Sequence, residues 1–246
     1  MTNHVESPYT RPVQIGSATV GGGHPFVVIA GPALEPVGPR AADMISLAER
    51  MSAKAREVDV PLIFRVAVKD RVDGASTVFG EMLATLREVR ARVNVPVAID
   101  LTEPQQVSAA AEVADLLQIP GARCRQTDLV LEAARTGRPV NVEKDPSLTP
   151  WDAVNLVETV VGVGNWNVML TECGTTVGHD HLVVEFDGFS FLRETGFPLV
   201  FDAGGGEMAA NGLAAGADGI SLVVQDDSLA SLPGLLQRLK GIAQTV

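Results

Sequence analysis

The feature that most constrains this chain is a series of short, almost unbroken apolar runs separated by stretches of helical character. The runs are Phe26–Ala30, Pro61–Ala67, Val95–Leu101, Ala114–Ile119, Pro139–Val142, Trp166–Leu170, Pro198–Asp202 and Gly219–Val224. A strand with one wet face alternates apolar and polar residues, whereas these lack that alternation, which signifies a parallel sheet covered on both faces. Pro39–Val58, Thr77–Arg92 and Pro104–Val113 read as covering helices. Eight strand–helix units fit a closed (β/α)8 barrel better than an open sheet. Ahead of them, the β-prone pieces Val13–Ile15 and Ala18–Val20 predict a small hairpin. The expected organisation is a flexible N-terminus over residues 1–12 and one barrel with its hairpin over 13–246. At 246 residues, 46% of them hydrophobic, the chain has the size and apolar content for one such core.

The formal net charge of -11 argues against nucleic acid or an anionic membrane as partner, because either repels such a surface. No apolar run approaches the roughly 20 residues of a membrane span, and Met1–Arg11 is polar. The expectation is therefore a soluble, cytoplasmic protein acting on a small molecule. Cys124 and Cys173 read as free thiols, and neither has the paired spacing of a zinc site. No metal and no external cofactor is expected.

A barrel of this kind carries its chemistry at the carboxyl ends of its strands. Arg65, Asp100, Gln118, Glu143, Lys144, Glu172, Cys173 and Asp202 fall there, with His179 and His181 on the loop after the sixth strand. The stretch Val168–Glu185 concentrates these groups around Gly174 and Gly178. Imidazoles exchange protons near neutral pH, so His179 and His181 are candidate acid/base groups, with Glu172, Asp100 or Asp202 as partner. They also read as exposed loop residues or, with a carboxylate, as metal ligands. Arg65, Gln118, Glu143, Lys144 and Cys173 are candidates for binding substrate. Cys173 reads either as a nucleophile or as a small residue that enlarges the pocket.

Leu117-Gln-Ile-Pro, Cys124-Arg-Gln-Thr-Asp-Leu, Thr136-Gly-Arg-Pro-Val-Asn-Val, Pro150-Trp-Asp and Leu170-Thr-Glu-Cys-Gly-Thr-Thr-Val-Gly closely resemble the 3-deoxy-D-manno-octulosonate 8-phosphate synthase family. Phe26–Pro32 and Phe201-Asp-Ala extend the likeness to nearly the whole chain. The resemblance implies a barrel that condenses phosphoenolpyruvate with arabinose 5-phosphate, with or without a metal, and assembles as a homo-oligomer, a tetramer or dimer.

Departures from the family pattern carry equal weight. Asp70 and Asp73 stand where the family has a lysine and an arginine, with Lys69 and Arg71 nearby. Glu143 replaces a lysine and Cys173 an arginine; Ala33, Gly205 and Val223 occupy the family's metal-ligand positions. Asp100, Glu103, Gln118, Arg125, Asn141, Lys144, Glu172 and Asp202 match. The resulting expectation is a repurposed enzyme using histidine and carboxylate acid/base chemistry on a non-phosphorylated molecule: dehydration, isomerisation, cyclisation or an aldol-type step, in specialised metabolism by analogy. The alternatives are a non-catalytic binding protein and a retained phosphoenolpyruvate-dependent synthase.

Overall fold

A computed structural model describes residues 9–34, 41–68 and 77–245. The expected helix start at Pro39 and the side chains of Lys69, Asp70, Arg71 and Asp73 lie outside them. An antiparallel hairpin, β1 (Val13–Ile15) and β2 (Ala18–Val20), precedes the barrel. Then come β3 (Val27–Gly31), its short continuation β4 (Ala33–Leu34), β5 (Leu62–Val68), β6 (Val97–Asp100), β7 (Leu116–Ile119), β8 (Val140–Glu143), β9 (Val168–Glu172), β10 (Leu199–Asp202) and β11 (Gly219–Val223). Each barrel strand pairs in parallel with the next, and β11 pairs with β3, which closes an eight-stranded ring. The described helices are α1 (Ala41–Glu57), α2 (Thr77–Val93), α3 (Val107–Val113), α4 (Thr127–Arg135), α5 (Pro150–Val161), α6 (Asp187–Arg193), α7 (Ala209–Ala214) and α8 (Leu232–Ala243). This is the (β/α)8 barrel with an N-terminal hairpin that the apolar runs predict. No described helix is long and apolar enough to cross a membrane.

Several strand limits differ from expectation. The run Trp166–Leu170 becomes β9 two residues later, so that Thr171 and Glu172 join the ladder. Ala114 and Asp115 fall between α3 and β7, where the Asp115 carboxylate accepts the Val97 N–H at 3.0 Å and pairs with Arg90 at 2.9 Å. The Asp115 N–H in turn donates to the Val97 carbonyl at 2.8 Å, so side chain and backbone together tie the start of β7 to β6.

Two apolar cores follow from strand alternation. Val28, Phe64, Ile99, Leu117, Val142, Leu170, Phe201 and Ile220 face the helices. Val27, Ile29, Ile63, Ala98, Leu116, Met169 and Val200 fill the barrel interior, together with Val13, Ile15, Ala18 and Val20 of the hairpin. The hairpin therefore plugs the amino end of the barrel. Its seal leaves the carboxyl end as the mouth.

Gly31 ends β3 against β5 so closely that an added Cβ would sit 1.9 Å from the Arg65 carbonyl oxygen. Only separation of the two strands relieves such a clash. Gly31→Ala is expected to lower unfolding free energy in urea by about 1–3 kcal/mol or more, the usual cost of overpacking. Unchanged stability would show that β3 and β5 are less tightly apposed.

Candidate active site

The same alternation that builds the two cores decides which strand-end residues meet. Inward positions are those in phase with the interior core: Arg65 on β5, Asp100 on β6, Gln118 on β7, Asn141 and Glu143 on β8, Thr171 on β9, Asp202 on β10 and Ser221 on β11. Register confirms the phase, since Asp100 pairs with Gln118, Gln118 with Asn141, Glu143 with Thr171 and Asp202 with Ser221. Cys173 follows Thr171 by two residues and keeps its phase. These side chains form a polar layer above the apolar plug.

Within that layer, Asn141 Nδ2 donates to Gln118 Oε1 and to Thr171 Oγ1, both at 2.7 Å, and Thr171 Oγ1 donates to Asn141 Oδ1 at 3.0 Å. Gln118 is 1% exposed, and among the described residues its Nε2 has no hydrogen-bond partner. An amide left this way carries a desolvation cost of about 1–3 kcal/mol until an acceptor arrives.

Arg65 is held in a fork by Asp100, Nε to Oδ1 at 2.8 Å and Nη2 to Oδ2 at 3.0 Å, while Nη1 donates to Ser221 Oγ at 3.1 Å. Its Nη2 also stands 3.7 Å from Glu143 Oε2. Such bidentate geometry fixes a guanidinium in one orientation. Burial pushes the Glu143 carboxyl up to about 7; Arg65 opposes the shift, and the charges of Asp202 and Asp100 add to it. Glu143 can therefore release and take up a proton near neutrality. Asp202 accepts the Gly204 N–H at 3.2 Å.

Lys144 and Glu172 have the opposite phase, in step with Val142 and Leu170 of the helix-facing core. They turn away from the barrel interior. Lys144 is fully buried; its Nζ lies 3.2 Å from Glu172 Oε1 and donates to the carbonyls of Gly174 at 2.6 Å and Leu148 at 3.2 Å. Glu172 Oε1 also accepts the Gly174 N–H at 2.6 Å. Both backbone polar groups of Gly174 are thus tied to one ion pair, at a residue whose φ of 95° favours glycine. Burial lifts the Glu172 carboxyl above its ordinary range, with Lys144 and the Gly174 N–H partly offsetting.

Cys173 Sγ donates to the Lys144 carbonyl at 2.8 Å. Burial raises its thiol, and the charge of Glu143 raises it further, which disfavours the thiolate a nucleophile needs. His179 and His181 lie on the exposed loop beyond, their rings 6.3 Å apart. Their carboxylate neighbours are Glu185, 3.5 Å from His179 Nε2, and Asp180, 2.5 Å from His181 Nδ1. Glu172 is committed to Lys144 and Gly174, and the histidines pair with Glu185 and Asp180 instead. Arg125 is exposed and Glu103 half-buried. Thr171 and Ser221 are members of the polar layer that reading the strands as uniformly apolar passes over; each is a hydroxyl in phase with the interior core of an otherwise apolar run.

Ala33, Gly205 and Val223 supply no side-chain donor for a metal. Among the described residues no three His, Cys, Asp or Glu side chains come together as a metal site requires.

Residues 10–228 match the model of the DAHP synthetase I family. The chain is 35% identical over 269 residues to the 2-dehydro-3-deoxyphosphooctonate aldolase of Geobacter sp. (strain M21), an alignment covering 95% of this chain and 97% of that protein. Its identity to the protein of the same name from Geobacter sulfurreducens is 36%, covering 95% and 98%. For the one from Desulfatibacillum aliphaticivorans it is 37% over 245 residues, covering 89% and 88%.

Proposed function

The chain belongs to the DAHP synthetase I family, and on that premise we propose that it catalyses an aldol-type carbon–carbon step at the barrel mouth. The observation that carries this reading is Glu143, a buried carboxyl poised near neutrality and 3.7 Å from the fixed guanidinium of Arg65. Glu143 takes a proton from the carbon beside a substrate carbonyl, and the electron pair moves onto the carbonyl oxygen. Arg65, oriented by Asp100 and Ser221, stabilises that enolate, as preorganised donors do for developing charge. The enolate carbon then bonds to an aldehyde carbon, and the proton held by Glu143 returns to the new alkoxide. Glu143 ends as it began.

A non-phosphorylated substrate is part of the proposal. Arg65 is the inward-phase cation among the described residues, and Asp100, Glu143 and Asp202 share the mouth with it. The lysine and arginine that the family resemblance implies are here Glu143 and Cys173. Two phosphates and a carboxylate find little charge to bind there, since such anions are held best by charge-assisted hydrogen bonds. Residues 69–76 hold two basic and two acidic side chains, a formal sum of zero.

A second reading, that the chain keeps the reaction for which its relatives are named, is the one the comparisons themselves favour, through identity of 35% across 95% of the chain. The two readings part in a phosphate-release assay with phosphoenolpyruvate and arabinose 5-phosphate. The expected result is no release above background. Release at an ordinary enzymatic rate, about 1 s⁻¹ or more, would establish the second reading instead.

A further inference from the structure

The barrel mouth holds two unanswered groups of opposite demand. Asp202, in phase with the interior and only partly exposed, accepts one backbone N–H at 3.2 Å and has no described cation within 4.0 Å. Gln118 Nε2, on β7 three strands away in the ring, is a donor with no acceptor among the described residues, in a side chain that is 1% exposed. The first calls for a cation and the second for an oxygen. Arg65 directs Nε and Nη2 to Asp100 and Nη1 to Ser221, and it reaches Asp202 through the field of its charge and not through an ion pair within 4.0 Å.

Resting on the reading of this mouth as the reacting site, we infer that the substrate carries a protonated amine, which pairs with Asp202, and a carbonyl or hydroxyl oxygen, which accepts from Gln118 Nε2. A neutral substrate would answer Gln118 alone and bring Asp202 no ion-pair partner. An anionic one would meet Asp202, Asp100 and Glu143 with a single inward cation among the described residues. An amine beside an oxygen function gives Asp202 a cation and Gln118 Nε2 an acceptor at once, and the acceptor relieves the cost of a buried, unpaired amide. Asp202 acts electrostatically on Arg65, Glu143 and Cys173, and the carboxyl groups of Asp100, Glu143 and Asp202 outnumber the one inward cation described, Arg65, so the local field also favours a positive ligand.

Matched probes test this on the full-length protein by calorimetry or ligand-observed NMR near neutral pH. The pairs are aminoacetone against hydroxyacetone and D-glucosamine against D-glucose, with glucose 6-phosphate as the anionic control. In at least one pair the amine is expected to bind about tenfold or more tighter, the worth of one charge-assisted hydrogen bond. Asp202→Asn, an isosteric change whose folding is checked by circular dichroism, is expected to equalise that pair. Gln118→Leu is expected to weaken both of its members alike. Equal binding within both pairs, no binding by any probe, tightest binding by the phosphate, or an amine preference that survives Asp202→Asn each overturns the inference. An Asp202-dependent preference without any carbon–carbon product would leave the inference standing and remove the aldol reading. Turnover confined to uncharged aldehydes would do the reverse.

Discussion

Glu143→Gln is expected to make the protein more stable above neutral pH while removing its turnover. The Glu143 carboxyl, ordinarily at 4.5, is raised to about 7 in the fold, chiefly by burial. A raised carboxyl binds its proton more tightly folded than unfolded, so its contribution is fully present below pH 4.5. That contribution is lost as pH climbs through 7. Wild type should therefore lose of order 1–3 kcal/mol across this window that the neutral amide does not lose. Urea unfolding of both proteins at intervals between about pH 4 and pH 8 measures the divergence directly. Parallel curves would mean that Glu143 ionises as an ordinary surface carboxylate. On the substrate that wild type turns over, removal of the proton-transfer group should lower kcat by about 10²–10⁴-fold. Gained stability with lost rate is what a group held in an unfavourable environment for its chemistry produces.

Lys144→Met should act in the opposite way, on stability first. Lys144 is fully buried and is the cation 3.2 Å from Glu172 Oε1, so its loss strands a carboxylate in the protein interior. Removing one partner of such a pair costs about 3–5 kcal/mol. The expected result is a urea midpoint lowered by that free energy divided by the slope, with the slope itself unchanged. Lys144→Met combined with Glu172→Leu should recover much of the loss, because two apolar side chains leave no buried charge behind. If the double variant is no more stable than the single one, the pair is held by something other than mutual neutralisation. The single variant also frees the Gly174 carbonyl from its 2.6 Å donor, so the loop that bears Cys173 and the two histidines should exchange its amides faster.

Lys144 and Glu172 also show where reading a sequence stops. Their place at strand ends is legible from the apolar runs, and so is their neighbourhood with Glu143 and Cys173. Which of them faces the mouth depends on phase within the strand, and a shift of one residue reverses it. Glu143 and Lys144 are adjacent, yet one meets Arg65 across the barrel while the other is buried behind the strand with Glu172. The histidines present a similar case. Their pattern is conspicuous in a chain with four, but the loop after β9 carries them out beside Asp180 and Glu185.

By itself the sequence determined the barrel, the hairpin at its amino end and the set of strand ends from which a site is drawn. Repeated apolar runs leave a chain of this length few other ways to bury its surface. Tertiary structure alone decided which of those residues meet, left Gln118 Nε2 without a partner among the described residues, and placed Glu143 in the surroundings that hold its proton near neutrality. Those properties arise from distances between strands far apart in the chain, and from burial that no single stretch encodes.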